Sequence, residues 1–253
     1  MTTPTLIPYI THLKLGQIPN NTNHMSRHFA LLPAAGVGAR MGADFPKQYL
    51  ELAGRPMIWH ALRAFETHAA ISRIYVVLSA ADGYWEGYDW SGFAKLSVLR
   101  CGGETRAQSV LNGLEAIADE VAEQDWMLVH DAARPCLSRA LLDKLLEAVR
   151  DDAVGGILAA PVADTLKREG HGQRIRETVP RQGLWGAQTP QMFRYGLLRE
   201  ALRRAGAEVT DEASAIEHLG LSPLLVESDA SNLKVTFPHD LEVAGWWLDR
   251  CSK

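Results

Sequence analysis

Residues 31–42, Leu-Leu-Pro-Ala-Ala-Gly-Val-Gly-Ala-Arg-Met-Gly, run from an apolar strand into a glycine turn, with Pro46-Lys47-Gln48-Tyr49 just beyond. Gly36 and Gly38 lack a Cβ, so this backbone can turn sharply and bring N–H groups against anionic oxygens. Arg40 and Lys47 add fixed positive charge beside them. The chemistry such a turn serves is phosphate binding. A dinucleotide fingerprint does not fit, because Met41 stands where G-x-G-x-x-G needs Gly or Ala, and a P-loop does not fit, because no G-K-S or G-K-T follows. A nucleoside triphosphate loop accounts for both cations; a purely structural tight turn accounts for neither.

Two further clusters follow apolar runs. Gly102-Gly103-Glu104-Thr105-Arg106 opens a helical pattern in which Arg106 and Ser109 offer donors at a helix N-terminus. The alternative there is ordinary capping by Thr105. Asp131, in His130-Asp131-Ala132-Ala133-Arg134-Pro135, is a single carboxylate that could hold Mg²⁺ whose other ligands are phosphate oxygens and water. It could instead cap the next helix or pair with Arg134. Lys234 alternates with apolar neighbours on an expected strand, so its ammonium should face away from Leu233 and Val235; such a lysine is usually solvated. His130 and the seven tryptophans read as core or rim residues, and no Ser-His-Asp or Cys-His constellation stands out.

The elements that must position these groups alternate along the chain. Strands are expected at Phe29 to Ala35, Ile74 to Ser79, Leu96 to Arg100, Trp126 to His130 and Gly155 to Ala160, with helices at Met57 to His68, Arg106 to Ala118 and Ser138 to Val149. That order implies an α/β fold, a Rossmann-like, mostly parallel, doubly wound sheet. Ligands in such sheets sit outside the carboxyl ends of the strands, which is where all three clusters fall. Beyond Pro161, Val162 to Glu169 and Arg174 to Val179 flank Gly170-His171-Gly172 and predict a projecting β-hairpin arm at about residues 162–183. Its Thr165, Lys167 and Arg181 either solubilise a ribbon or present donors to a phosphate held by a neighbouring subunit. Helices are expected at Phe193 to Ala205 and at Asp211 to Leu219, the second with Thr210 as N-cap and acidic residues in its first turn. Strands near Leu224 to Glu227 and Leu233 to Thr236 and a closing helix at 239–250 complete the chain.

The 253 residues are 47% hydrophobic and 22% charged, enough for one sizeable core, here expected over residues 25–253. A formal net charge of −4 argues against nucleic acid as a partner and points to a small anionic ligand. Cys101, Cys136 and Cys251 show no C-x-x-C spacing and read as packing residues in a reducing cytoplasm. No apolar run approaches the roughly 18 residues of a membrane span. Residues 1–24, rich in Thr, Asn and Pro, are expected to be a disordered extension, with Met25 as a candidate start.

From about Phe29 onward the chain resembles the 2-C-methyl-D-erythritol 4-phosphate cytidylyltransferase family. The likeness is carried by residues 33–42, Pro46-Lys47-Gln48-Tyr49, 102–106, 130–135, Asp164-Thr165-Leu166-Lys167, Gln188-Thr189-Pro190-Gln191 and Asn232-Leu233-Lys234-Val235-Thr236. It implies a nucleotidyltransferase that joins methylerythritol phosphate to CTP in non-mevalonate isoprenoid precursor synthesis, with Mg²⁺ as cofactor. Arg40, Lys47 and Lys234 would be catalytic, and Ala34, Ala35, Gly36, Gly38, Gly103, Glu104, Arg106 and Ser109 would bind the nucleotide. Asp131 would meet the metal and the sugar alcohol. The resemblance also implies a homodimer in which Thr165 and Arg181 of one arm join Arg134 and Thr189 of the other subunit around the substrate phosphate. The nearest rival is a cytidylyltransferase acting on a polyol phosphate such as ribitol 5-phosphate.

Overall fold

A computed structural model describes residues 26–36, 46–205 and 209–251. Gly38, Arg40 and the N-terminal extension lie outside the described residues. The elements run β1 His28–Pro33, β2 Glu51–Leu52, β3 Arg55–Pro56, α1 Met57–Glu66, β4 Ile71–Val77, β5 Leu96–Leu99, α2 Arg106–Ala116, β6 Trp126–Val129 and α3 Arg139–Val149. There follow β7 Gly155–Pro161, β8 Leu166–Glu169, β9 Ile175–Val179, β10 Trp185–Arg194, α4 Tyr195–Ala205, α5 Glu212–Glu217, β11 Leu224–Glu227 and α6 Pro238–Cys251.

Among the described residues, seven strands form one sheet in the order β11-β7-β10-β6-β1-β4-β5. The pairs β1 with β4, β1 with β6, β4 with β5 and β11 with β7 are parallel, whereas β10 runs antiparallel to both its neighbours, β6 and β7. Because side chains alternate across a strand, β1 sends Ala30 and Leu32 to one face and Phe29 and Leu31 to the other. The first pair packs with Phe65 of α1 and Leu142 and Leu145 of α3. The second packs with Val110 and Leu114 of α2 and Leu198 of α4. Both faces are therefore covered, as a parallel sheet requires. Gly113 lets α2 lie close to the sheet: a Cβ there would sit 2.6 Å from Val77 Cγ2 and 3.0 Å from Leu31 Cδ1.

Three sequence expectations change. Residues 185–194 form strand β10, and α4 starts at Tyr195 rather than at Phe193. The segment hides from pattern reading because Gln188-Thr189-Pro190 interrupts its alternation. The ladder with β7 accommodates this through a register shift between Ala187 and Gln191. Beyond the shift, Met192 and Phe193 enter opposite cores. The expected strand at Leu233 to Thr236 is an irregular segment, tied down by the Val235 amide donating to the Ala133 carbonyl at 2.8 Å. Asp211, not Thr210, caps α5: its carboxylate accepts from the Ser214 amide at 2.9 Å, and Ser214 Oγ returns the contact to the Asp211 amide.

The arm is present as a β8–β9 hairpin turned at His171–Gln173, where Gly172 takes φ 66°. It grows from the end of the β7–β10 pair, with the Val162 amide bonded to the Leu184 carbonyl at 3.1 Å. Its residues are largely exposed, Ile175 at 67%.

Candidate functional site

Chain segments leaving β1, β5 and β6 converge on one cavity of about 580 Å³. Pro33, Ala34, Ala35 and Gly36 line it from the first strand, Gly103, Glu104, Thr105, Arg106 and Ser109 from the α2 entrance, and Asp131, Ala132 and Ala133 from the end of β6. Lys47, Gln48, Lys234 and Thr236 complete the wall. The described nucleotide residues named from the sequence are thus brought together with Lys47, Asp131 and Lys234. Arg134 and Thr189 stand behind this wall, buried, while Thr165 and Arg181 are exposed at the root of the arm and do not line the cavity.

Each wall segment is held by contacts that the sequence did not announce. Gln48 is 4% exposed and donates from Nε2 to the Ala34 carbonyl at 2.7 Å, joining the Lys47 turn to the first-strand loop. Tyr49 donates to Asp82 Oδ2 at 2.8 Å and stacks on Tyr88. Lys47 Nζ donates to the Val235 carbonyl at 3.3 Å. Thr105 does cap α2, accepting from the Gln108 amide at 3.0 Å, and this end of the helix also faces the cavity. The cap leaves the anion-binding reading open, because a capped first turn still has N–H groups and the positive end of the dipole available to an anion. Ser109 Oγ accepts from the Gly103 amide at 3.1 Å and donates to the Thr105 carbonyl at 2.9 Å, so its hydroxyl shapes the loop from behind.

Asp131 is the electrostatic centre. Oδ1 accepts from Arg106 Nε at 2.9 Å, Oδ2 meets Lys234 Nζ at 2.7 Å, and Arg134 Nε lies 3.9 Å from Oδ2 with no hydrogen-bond partner of its own among the described residues. Burial is the largest single influence and pushes this carboxyl up, but Arg106, Lys234 and Arg134 together outweigh it and hold the group well below the usual carboxylate range. Asp131 is therefore anionic throughout the physiological range. Pairing with Arg134, weighed from sequence, is the weakest of its three contacts; Arg106 and Lys234 come from 25 residues upstream and 103 downstream, which spacing alone could not connect. Leu233 and Val235 pack into an apolar cluster while Lys234, part of an irregular segment, stays solvent-exposed and also meets the Asp131 carboxylate.

Behind Asp131, the Thr189 hydroxyl accepts from the Asp131 amide and faces His130 Nδ1, both at 3.0 Å, while His130 Nε2 lies 3.0 Å from the Arg134 carbonyl. The only consistent proton arrangement has Thr189 donating to Nδ1 and a neutral ring donating from Nε2. The Thr189 hydroxyl is thus committed on both sides. Arg134 donates to the Asn232 carbonyl at 2.6 Å, linking the end of β6 to the Lys234 segment. His130, Gln48, Asn232 and Glu212 are site-supporting residues that sequence reading missed. For Glu212 the available signal was an acid in a first helical turn, which the helix dipole already explained.

An open α/β sheet whose strand-end loops, helix N-terminus and lysines enclose a charged crevice defines a nucleotide-handling enzyme of Rossmann-like nucleotidyltransferase architecture. A family model described as IspD, 2-C-methyl-D-erythritol 4-phosphate cytidylyltransferase, matches residues 28–250. Proteins of that name from Dechloromonas aromatica and Nitrosospira multiformis are 59% and 58% identical to this chain, over 88% and 90% of it and 98% and 100% of their own lengths. The crystal structure of a 4-diphosphocytidyl-2C-methyl-D-erythritol synthase aligns with a TM-score of 0.80 at 44% identity, covering 89% of this chain and 100% of that one. That of the cytidylyltransferase from Thermus thermophilus aligns at 0.72 and 35%, over 89% and 100%. The chain belongs to the 2-C-methyl-D-erythritol 4-phosphate cytidylyltransferase family.

Two glycines separate packing from ligand space. A Cβ on Gly102 would sit 2.3 Å from Ala35 Cβ and 2.9 Å from the Leu78 carbonyl oxygen, whereas one on Gly36 would meet nothing within 4 Å among the described residues. Gly102→Ala is expected to cost about 1–3 kcal/mol of stability by overpacking. Gly36→Ala should melt like wild type but lose the thermal stabilisation given by CTP. Thermal melts with and without CTP check both, and the reverse pattern would show that Gly36 serves only the fold.

His130 titrates at about 4, lowered chiefly by burial, with the Arg134 carbonyl contact pulling the other way. The unfolded ring titrates near 6.5, so between these values the unfolded chain binds more protons; the stability is complete above about 6.5 and is lost as pH falls toward 4. His28 and His60 are also lowered, each mainly by burial, so His130→Gln serves as the reference. Wild type should lose on the order of 3 kcal/mol more than the variant across that window in denaturant titrations. Parallel stability curves would refute this.

Proposed function

We propose that this chain transfers the cytidylyl group of CTP to 2-C-methyl-D-erythritol 4-phosphate, giving 4-diphosphocytidyl-2-C-methyl-D-erythritol and pyrophosphate in isoprenoid precursor synthesis. The observation that carries the reading is the family match over residues 28–250, whose strand-end motifs line one charged cavity. The acceptor's phosphate oxygen bonds to the α-phosphorus of CTP as the bond from that phosphorus to the pyrophosphate bridging oxygen breaks. A phosphate monoester, with its second pKa near 6, is largely dianionic at neutral pH and needs no general base. The site must therefore supply alignment and positive charge for the five-coordinate phosphorus and the leaving pyrophosphate.

In this reading Lys47 and Lys234, with Arg40, face the reacting phosphates, and Arg106 with the α2 N-terminus adds positive potential. The backbone at Ala34, Ala35, Gly36, Gly38, Gly103 and Glu104 holds the nucleotide, and Ser109 shapes it. Thr189 acts through the Asp131 amide and His130, since its hydroxyl already has two partners.

Mg²⁺ is part of the proposal. Asp131 is a hard, anionic oxygen donor at the cavity wall, and among the described residues no group of three or more His, Cys, Asp or Glu could hold a metal. Each Asp131 oxygen bonds one cation, Arg106 or Lys234, and has a second lone pair, so a Mg²⁺ would share this carboxylate with them and take its remaining ligands from substrate phosphates and water. When bound, the ion would offset triphosphate charge.

We further read the exposed arm as the dimer element: Arg181 and Thr165 at its root would reach the partner's substrate phosphate beside Arg134. Among the described residues no helix is long and apolar enough to cross a membrane. Cysteines that are few, widely separated and without C-x-x-C spacing support a cytoplasmic location.

A pyrophosphate-release assay with CTP, each other nucleoside triphosphate, methylerythritol phosphate and ribitol 5-phosphate tests the reading. Release is expected only with CTP, methylerythritol phosphate and Mg²⁺ together, and preference for ribitol 5-phosphate would replace it. Lys47→Ala should lower turnover at saturating substrates by about 100-fold or more, roughly 3 kcal/mol, with little effect on folding. Near wild-type turnover would remove Lys47 from the chemistry.

Mixing Arg134→Ala and Arg181→Ala chains tests the arm. In the heterodimer one site would carry both lesions and the other neither, so activity should recover. No recovery by a confirmed heterodimer would mean that each arm serves its own subunit.

A further inference from the structure

Glu212 opens α5 and is fully buried, yet its carboxylate touches the cavity wall at one place, the Arg106 guanidinium. Oε1 accepts from Nη1 at 2.7 Å and Oε2 from Nη2 at 3.0 Å. This two-pronged pairing fixes the plane of the guanidinium and leaves Nε as the donor that reaches Asp131. The charges alternate along a line, Glu212, Arg106, Asp131, Lys234, with the contacts at its two ends at 2.7 Å each.

The line also has a rigid end. Asp211, one residue earlier, accepts from Gln191 Nε2 at 2.9 Å, and Gln191 Oε1 accepts from the Ala213 amide at 2.8 Å. Gln191 lies on β10 and is 1% exposed. The first turn of α5 is thereby fastened to the central antiparallel strand, so Glu212 cannot drift without moving the sheet.

We propose that Glu212 is a positioning residue for the transfer reaction. It divides the Arg106 guanidinium so that only Nε engages Asp131, which keeps the second carboxylate oxygen for Lys234 and leaves the acidic side chain aligned at the cavity wall. Without Glu212, Arg106 has one carboxylate left and swings both prongs onto Asp131, displacing Lys234 from it. Glu212 reaches no substrate; it acts through Arg106. The inference rests on the cytidylyl transfer described above.

The test is a double-mutant cycle in the full-length enzyme, read by pyrophosphate release and, separately, by CTP-induced thermal stabilisation. Wild-type activity with CTP and methylerythritol phosphate first establishes the reaction; its absence would sink the proposed function, whatever Glu212 does. Glu212→Gln, which keeps shape but not charge, should lower kcat 10- to 100-fold with the KM for CTP within threefold. In an Arg106→Gln background the same change should alter kcat less than twofold, because its only route has been removed. Unchanged kcat in Glu212→Gln, or losses that multiply in the double variant, would overturn the proposal. If Glu212→Gln fails to fold, the apolar pair Arg106→Met/Glu212→Leu removes both charges together, a replacement buried ion pairs often tolerate. It should turn over like Arg106→Met alone, and a further tenfold drop would equally overturn the role.

Discussion

The carboxylate of Asp131 is the constraint around which the rest is arranged. Moving an ion of this kind into a protein interior costs several kcal/mol, and attraction to cations repays that only with good geometry. Here two cations sit within 3 Å and a third within 4 Å. They come from three separate places: the start of α2, the end of β6 and the segment before α6. Satisfying one buried charge therefore ties together three regions that the chain connectivity leaves independent. A buried ionic cluster is weak evidence for stability, since apolar replacements of such pairs are often neutral or better. Its use is in the site: it fixes charged side chains before any ligand arrives, so reorganisation need not accompany the chemistry.

The sheet makes that arrangement possible. Parallel neighbours β4, β1 and β6 bring their carboxyl ends to one edge, so the loops after β1 and β6 face the same crevice. The third contributor, the turn after β5, comes near only because Gly102 lets its backbone lie against Ala35 and Leu78. Glycine in this turn is thus first a matter of chain-to-chain approach. Gly36 instead lines the cavity, with no described neighbour within reach of a Cβ. Two glycines that look alike in sequence answer to different neighbours.

The antiparallel strand β10 has three tasks. It pairs β6 to β7, it carries the arm at its start, and through Gln191 it holds the first turn of α5. Thr189 on the same strand supports Asp131 from behind. One irregular strand therefore links the projecting hairpin, the supporting hydroxyl and the fixed end of the charge line. Family membership explains why these parts occur together; the contacts explain how each one bears on the cavity.

The sequence by itself determined the layered α/β fold, the order of most elements, the arm and most of the cavity wall. Strand and helix periodicity, glycine turns and N-caps are local, and local signals are what a linear pattern records. Lys47, Arg106 and Asp131 could be named because each sits beside such a signal, whereas Lys234 read alone as a solvated cation and entered the site only through the family resemblance. What only the tertiary structure decided is who meets whom. Residue 234 meets 131 across a loop that looked like a strand, Glu212 meets Arg106 across 106 residues, and Gln48 braces Ala34 from another turn. Strand β10 was illegible for the same reason: a segment with Pro190 and Gln188 at its centre becomes a strand only because β6 and β7 lie on either side of it to accept its hydrogen bonds. Long-range pairing of charges and backbone is a property of the folded arrangement, and no window of sequence contains both partners.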